Sequence, residues 1–431
     1  MKNIREQNYD VAVIGAGAAG LSAAAVTGAA GRSTLVIDRE KRAGGILRQC
    51  IHNGFGLRYF KEELTGPEYA ERVWKKARSA GADFALASTV TELKKEDDGT
   101  FLLTLLSEKD GVRLIRAKSV LLAMGCRERN RGSIATPGTR PAGIFTAGAA
   151  QKLLNKEGKL PGKSAVIVGS GDIGLIMARR LRWCGIDVKA VVEIMSHPSG
   201  LTRNIVQCLN DFHIPLHLSY SVVRIEGKDR VSGVEIAPLK DGIPQMAQSF
   251  HIDCDTVLFS VGLVPENEIA VDAGVILNPS TGGAKADADN QTNIPGIFAA
   301  GNVLHVHDLV DYVSEEAERT ARGILNYLDG QLKKSSLPVV PGANLKYVIP
   351  NTLCPGKTTL FSFRPLIVTD GGILKAELDG RIILEKKIPF VRPAEMIQIQ
   401  IEGDLLTAAD PASVLTFSLE RGNEPDVKGE N

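Results

Sequence analysis

The chain has 431 residues, 44% apolar and 23% charged, with a formal net charge of +1. That length exceeds one ordinary core and calls for two or three domains. The near-neutral charge gives no purchase for nucleic acid or an anionic membrane surface, and no apolar run is long enough to span a bilayer.

The start, MKNIREQNYD, runs straight into a strand, so no secretory leader is expected. The six cysteines are scattered and none forms C-x-x-C. Reduced thiols in a cytoplasmic protein are expected, rather than a zinc or iron–sulfur centre. Residues 9–14 (YDVAVI) are a continuous apolar run, the pattern of a parallel strand covered on both faces. A glycine turn and a helix to about residue 29 follow, then the strand STLVID ending at Asp38. STVTEL, GTFLLTLL and VRLIRAK read as an antiparallel meander, and SVLLAMG as a further strand ending at Gly125.

The plan then repeats. SAVIVG is a strand, a helix follows, and VKAVVE ends at Glu193. LHLSYSVVRIEG, VSGVEIAPL and QSFHIDC form a second meander, and TVLFSVG closes the unit at Gly262. The strand GIFAAG and a helix from about Asp311 to Leu328 return to the first unit. LKKSSLPVVPGAN reads as a linker, the short β-like runs beyond it as a small β-domain with a D-G hairpin, and residues 420–431 as disordered. The expected fold is α/β: two Rossmann-like three-layer ββα dinucleotide-binding domains, the second inserted in the first, plus a small C-terminal antiparallel β-domain. Their expected extents are residues 1–145 with 266–332, residues 146–265, and residues 340–424.

Gly15, Gly17 and Gly20 supply G-x-G-x-x-G. The first glycine makes the turn, the second lets the backbone approach a pyrophosphate, and the third packs helix on strand. Ala18 and Ala19 begin the helix, whose free N–H groups favour phosphate. Asp38, followed by Arg39, stands where an acid accepts ribose hydroxyls. The backbone turns again at Gly44, Gly45 and Ile46. In the second unit Gly169, Gly171 and Gly174 repeat the pattern, with Asp172 and Ile173 opening the helix and Glu193 as the acid. An acid there repels a 2′-phosphate, so NAD(H) is expected over its phosphorylated form.

TNIPGIFAAGN, ending at Gly301–Asn302, resembles the late FAD motif of the pyridine nucleotide–disulfide reductase superfamily, with Asn302 where aspartate is usual. LLAMGCRER and FSVGLVPENE resemble the superfamily's segments around Gly125 and Gly262. The resemblance implies FAD in the first unit and NAD(H) in the second. The superfamily's flavin-adjacent cysteines would fall on Leu47 and His52, leaving Cys50 alone, so a dithiol relay is not expected. GGILRQC, ELTGPEYA, RPAGIFTAG and GNVLHVHDLVDYVSEEA together resemble a subgroup containing hydrogen cyanide synthase, opine oxidase and dye-linked proline dehydrogenase subunits, and flavoproteins accompanying glycerol-3-phosphate dehydrogenase.

His52, His305 and His307 are the candidate proton carriers, since imidazole titrates near neutrality. The H-x-H at 305–307 has no third ligand at metal spacing, so no metal is expected. The helix beginning near Asp311 would aim its positive end at the flavin. The expected function is electron passage between NAD(H) and a partner subunit or small acceptor through FAD. The alternatives are a flavin dehydrogenase or oxidase acting on an amine, amino acid or glycerol-3-phosphate-like substrate, and a non-catalytic nucleotide-binding assembly subunit.

Overall fold

The computed structural model describes residues 6–407 and 412–422. The chain forms two compact units: residues up to Cys126 together with those from Pro265 onward, and Arg127–Val264.

In the first unit Glu6–Ile14 lies between two parallel partners, Thr34–Ile37 and Gly111–Leu122. Asp83–Ala85 and Ile297–Ala299 extend the parallel set. Alternate residues of the first strand serve different layers. Val11 and Val13 face a cluster with Leu21, Tyr69 and Ala317 from the helices Ala18–Ala29, Gly66–Ser79 and Val310–Leu328. Ala12 and Ile14 face a second cluster with Phe101, Leu103 and Leu105. Both faces are dry, so apolar side chains occupy every position rather than every second one.

Two details depart from the sequence reading. Residues 112–118 and 119–125 read as separate strands, yet Gly111–Leu122 is one. No turn-forming residue interrupts it, and it pairs along Glu6–Ile14 from Leu114 to Leu122. Its first half carries the meander strand Phe101–Ser107 and its second half Ile297–Ala299. The stretch around Pro67 also forms a helix outside the elements read from the sequence. There Thr65 and Glu68 cap each other's backbone and Pro67 opens the helix Gly66–Ser79.

The second unit is built on a parallel sheet in the order Leu216–Leu218, Asp187–Glu193, Ser164–Val168, Thr256–Phe259, Ile144–Thr146. The helix Asp172–Trp183 follows its glycine turn. Tyr220–Gly227, Val231–Lys240 and Phe250–Asp253 make the meander. The run 216–227 divides at Ser219, whose φ of +56° breaks the extended chain. Leu216–Leu218 stays with the parallel sheet and Tyr220 onward joins the meander.

The C-terminal strands form two sheets. One runs Thr352–Leu353, Leu337–Pro341, Leu415–Arg421, Thr369–Leu378, Arg381–Val391; the other runs Leu345–Ile349, Thr359–Pro365, Ile397–Ile401. The expected linker thus contains a strand. Leu337 and Val339 alternate into the core, which outweighs the flanking prolines, and the strand pairs in parallel with Leu415–Arg421 in an otherwise antiparallel region. Asp379 and Gly380 both have positive φ and turn the expected D-G hairpin. Glu420 and Arg421 end a strand, and residues 423–431 lie outside the described residues.

Phe361, Phe363 and Phe417 are fully buried, with the Phe417 ring 4.8 and 4.7 Å from the other two. Phe417→Ala removes the ring they share. It is expected to lower the unfolding free energy by about 3–5 kcal/mol, read by chemical denaturation; a loss under about 1 kcal/mol would contradict this packing.

Candidate functional site

The first glycine turn is fixed by crowding and by one acid. A Cβ on Gly15 would stand 2.3 Å from the Ala123 carbonyl oxygen, and one on Gly20 would stand 1.9 Å from the Gly15 oxygen. Neither position admits a side chain. At Gly17 a Cβ would meet nothing within 4 Å, so the turn is open on the side where the motif receives phosphate. Asp38 closes the other side: its Oδ2 accepts the Ala16 N–H at 2.6 Å and its Oδ1 the Glu40 N–H at 2.7 Å. A carboxylate has four lone-pair sites, so two remain for ribose hydroxyls. The helix Ala18–Ala29 has no side-chain cap at Gly17, which leaves its first N–H groups facing the opening.

The other expected residues converge here. Gly44 donates its N–H to the Ala16 carbonyl at 2.7 Å, and Gly45, at φ +54°, packs against Gly17. Ile46 and Arg39 are exposed beside this turn and beside Asp38. Gly301, at φ +76°, abuts Ala19. Gly125, which accepts the Glu266 N–H, lies just past the Ala123–Met124 peptide on which Gly15 rests. Asn302 is committed: its Oδ1 accepts the His307 N–H at 3.0 Å and its Nδ2 lies 3.8 Å from the Cys126 sulfur. The open turn, uncapped helix and half-filled acid fit the adenosine diphosphate portion of FAD.

The histidines divide. His52 sits on the loop after Cys50, its ring 5.0 Å from Phe55. The His305 and His307 rings have centroids 4.2 Å apart and are tilted by 41°. Both rings reach Glu316, a helix residue absent from the sequence reading: His305 Nε2 lies 2.9 Å and His307 Nε2 3.3 Å from Glu316 Oε2. The other oxygen, Oε1, accepts the Gly301 N–H at 2.8 Å. His305 is 0% exposed, so a direct proton exchange with a diffusing substrate is closed to it. Burial, with His307 adding to it, pushes His305 below the ordinary imidazole value. Burial alone would raise the Glu316 carboxyl, but His307 and His305 outweigh it and hold the group well below the usual carboxylate range.

The helix Val310–Leu328 begins where expected, but its first turn holds an acid. Asp311 is buried and accepts the N–H groups of Gly56 and Tyr59 at 3.1 and 2.7 Å. Its charge offsets part of the helix's positive end. Further along, Ser314 meets the Tyr69 hydroxyl at 2.8 Å and Glu315 meets Arg58 at 2.7 Å. The segment around Arg58 is therefore packed onto this helix.

The second turn repeats the first with a difference. Gly169 is crowded by the Ser260 carbonyl at 2.3 Å, Gly174 by the Ser260 Cβ at 2.7 Å, and Gly171 lies against the Ser260 hydroxyl. Glu193 Oε2 accepts the Ser170 N–H at 2.9 Å, as Asp38 does for Ala16. Yet Glu193 also accepts both the Ser170 and Ser199 hydroxyls and, on Oε1, the Met195 N–H. It is 3% exposed, with three donors crowded on Oε2 and one on Oε1, so Oε1 keeps an acceptor site. Asp172 takes the Leu201 N–H at 2.8 Å and the Asn204 amide at 2.6 Å, and Gly174 donates to the Ser260 hydroxyl. Ile173 is half-buried beside them and Gly262, at φ +105°, lies near Arg129.

Residues 9–321 match the pyridine nucleotide-disulphide oxidoreductase family. The chain is 29% identical to a thioredoxin reductase of Treponema pallidum over 69% of its own length and 90% of that protein's. It is 27% identical to hydrogen cyanide synthase subunit HcnB of Pseudomonas protegens over 68% of its own length, and spans 65% of that subunit. The structure is similar in fold to T. acidophilum thioredoxin reductase, with a TM-score of 0.62 and 23% identity, covering 76% of this chain and 99% of that one. No helix of the described residues is long and apolar enough to cross a membrane.

Asp38→Ala removes both the tie to Ala16 and the remaining acceptors. It is expected to weaken FAD retention at least about tenfold, read as flavin absorbance per chain after gel filtration. Unchanged retention in a folded variant would contradict the assignment of Asp38.

Proposed function

The chain belongs to the pyridine nucleotide-disulphide oxidoreductase family, FAD-dependent enzymes that use NAD(P)H, and from that premise we propose that this member passes electrons between NAD(H) and a partner subunit or small acceptor without a redox-active disulfide. The observation that carries the reading is the repeated turn. In each unit an acid at the end of the second strand takes the N–H of the residue after the first glycine, Asp38 from Ala16 and Glu193 from Ser170. One chain thus offers two dinucleotide cradles of the same build.

In this reading Gly15, Gly17, Asp38, Gly44, Gly45, Gly301 and Asn302 hold FAD. Gly169, Gly171 and Glu193 hold NAD(H). Bound FAD supplies the exchange of electrons between a hydride donor and an acceptor. The protein's part is to fix both pyrophosphates at helix starts and to choose the nucleotide. Glu193 and Asp172 place two carboxylates where a 2′-phosphate would add further negative charge, which favours NADH. Against a thiol relay, the six cysteines of the sequence form no C-x-x-C pair. Burial pushes the Cys50 thiol up to about 12, so little of it is the nucleophilic thiolate at neutral pH. A partner subunit is supported by the likeness to HcnB, which is itself named as a subunit.

Anaerobic titration tests the reading. NADH should bleach the flavin absorbance, and NADPH should do so at a rate at least about tenfold lower. Bleaching by an amine, amino acid or polyol phosphate but not by NADH would overturn it, as would bleaching by no donor. Glu193→Ala should raise KM for NADH about tenfold with flavin content unchanged. Ser199→Ala frees one acceptor on Glu193 and should leave that KM level or lower; a rise equal to that of Glu193→Ala would contradict the nucleotide role and leave Glu193 as a packing group.

A further inference from the structure

We propose that His305, His307 and Glu316 bind a divalent transition-metal ion of the zinc or ferrous class. Two imidazoles and one carboxylate, with no thiolate, are a donor set for such ions. The three ligand atoms lie within 4.8 Å of one another in the interior of the first unit. The two histidine Nε2 atoms stand 2.9 and 3.3 Å from Glu316 Oε2. Ligands at roughly 2.0–2.2 Å from a tetrahedral ion are about 3.4 Å apart, so an ion needs the two nitrogen–carboxylate contacts to open by about half an ångström or less.

His307 is the independent observation. Its ring is 1% exposed, and neither ring nitrogen has a hydrogen-bond partner of acceptable geometry. A buried polar ring left in that state is unfavourable, and a metal bond at Nε2 removes much of the deficit. If the cluster were only a hydrogen-bonded pair, Glu316 Oε2 would serve His305 well and His307 poorly.

The surroundings are those of a supported ligand set. Metal-bound histidines commonly use their second nitrogen on a neighbouring polar group, and His305 Nδ1 faces the buried Tyr347 hydroxyl at 3.4 Å. Glu316 Oε1 is held by the Gly301 N–H at 2.8 Å, which leaves Oε2 as a single-oxygen ligand. The His307 backbone is held by Asn302 at 3.0 Å. The site is thereby tied to both residues of the Gly301–Asn302 turn, yet zinc binding does not depend on the proposed exchange of electrons with NAD(H).

The test uses the full chain with its own cofactor content, stripped of metal by a chelator and then given zinc alone. Wild type should retain about one zinc per chain after gel filtration, and zinc should raise its melting temperature. His307→Ala and Glu316→Gln should each weaken zinc binding at least about 100-fold. Glutamine at 316 still offers a carbonyl to the Gly301 N–H, so the variant keeps that backbone tie, and circular dichroism confirms folding. His251→Ala, at an exposed histidine beside Glu226 and Asp253, should change nothing. Absence of retained zinc in wild type, or equal retention in the His307 and Glu316 variants, would overturn the proposal and leave a hydrogen-bonded histidine pair.

Discussion

The short hydrogen bond from the Ala16 N–H to Asp38 is the constraint on which the rest of the first unit depends. It pins the glycine turn to the end of the neighbouring strand, while the Ala123 carbonyl blocks any side chain at Gly15. With the turn held from both sides, the helix Ala18–Ala29 starts uncapped, and its N–H groups keep the unmet demand that an anion satisfies. Gly45 and Gly301 then close on the same turn because each lacks the Cβ that would press on Gly17 or Ala19, and Gly44 joins them through its N–H bond to the Ala16 carbonyl.

The duplicated turn shows how one scaffold yields two unequal sites. Asp38 takes two backbone N–H groups, one on each oxygen, whereas Glu193 takes four donors, three of them on Oε2. The difference comes from two serines. Ser170 stands where the first unit has Ala16, and Ser199 is brought across the turn, its N–H bonded to the Ser170 hydroxyl at 2.8 Å. Hydroxyls are exchangeable partners in a way that a backbone tie is not.

Much of this was legible in the sequence because its signals are local. Strand, glycine turn, helix and acid sit at fixed spacing, and the spacing encodes the turn. The continuity of Gly111–Leu122 was not legible, since pairing along Glu6–Ile14 is a long-range event. Glu316 was missed for a related reason. It lies nine residues beyond His307, outside any short ligand spacing, and meets both histidines only because the turn after Gly301 folds back on the helix. The crowding of Glu193 Oε2 depends on Ser199, a residue with no motif value in isolation. His52 illustrates the opposite limit: counting placed it at a cysteine position, while its chemistry is fixed by neighbours that counting does not supply.

The most direct measurement is the absorbance spectrum of gently purified wild-type protein, with the released chromophore identified by chromatography. The account predicts a yellow protein carrying close to one FAD per chain. A colourless protein that takes up no added FAD, or one that carries the mononucleotide instead, would contradict it, because the Asp38 cradle is built for the adenosine half.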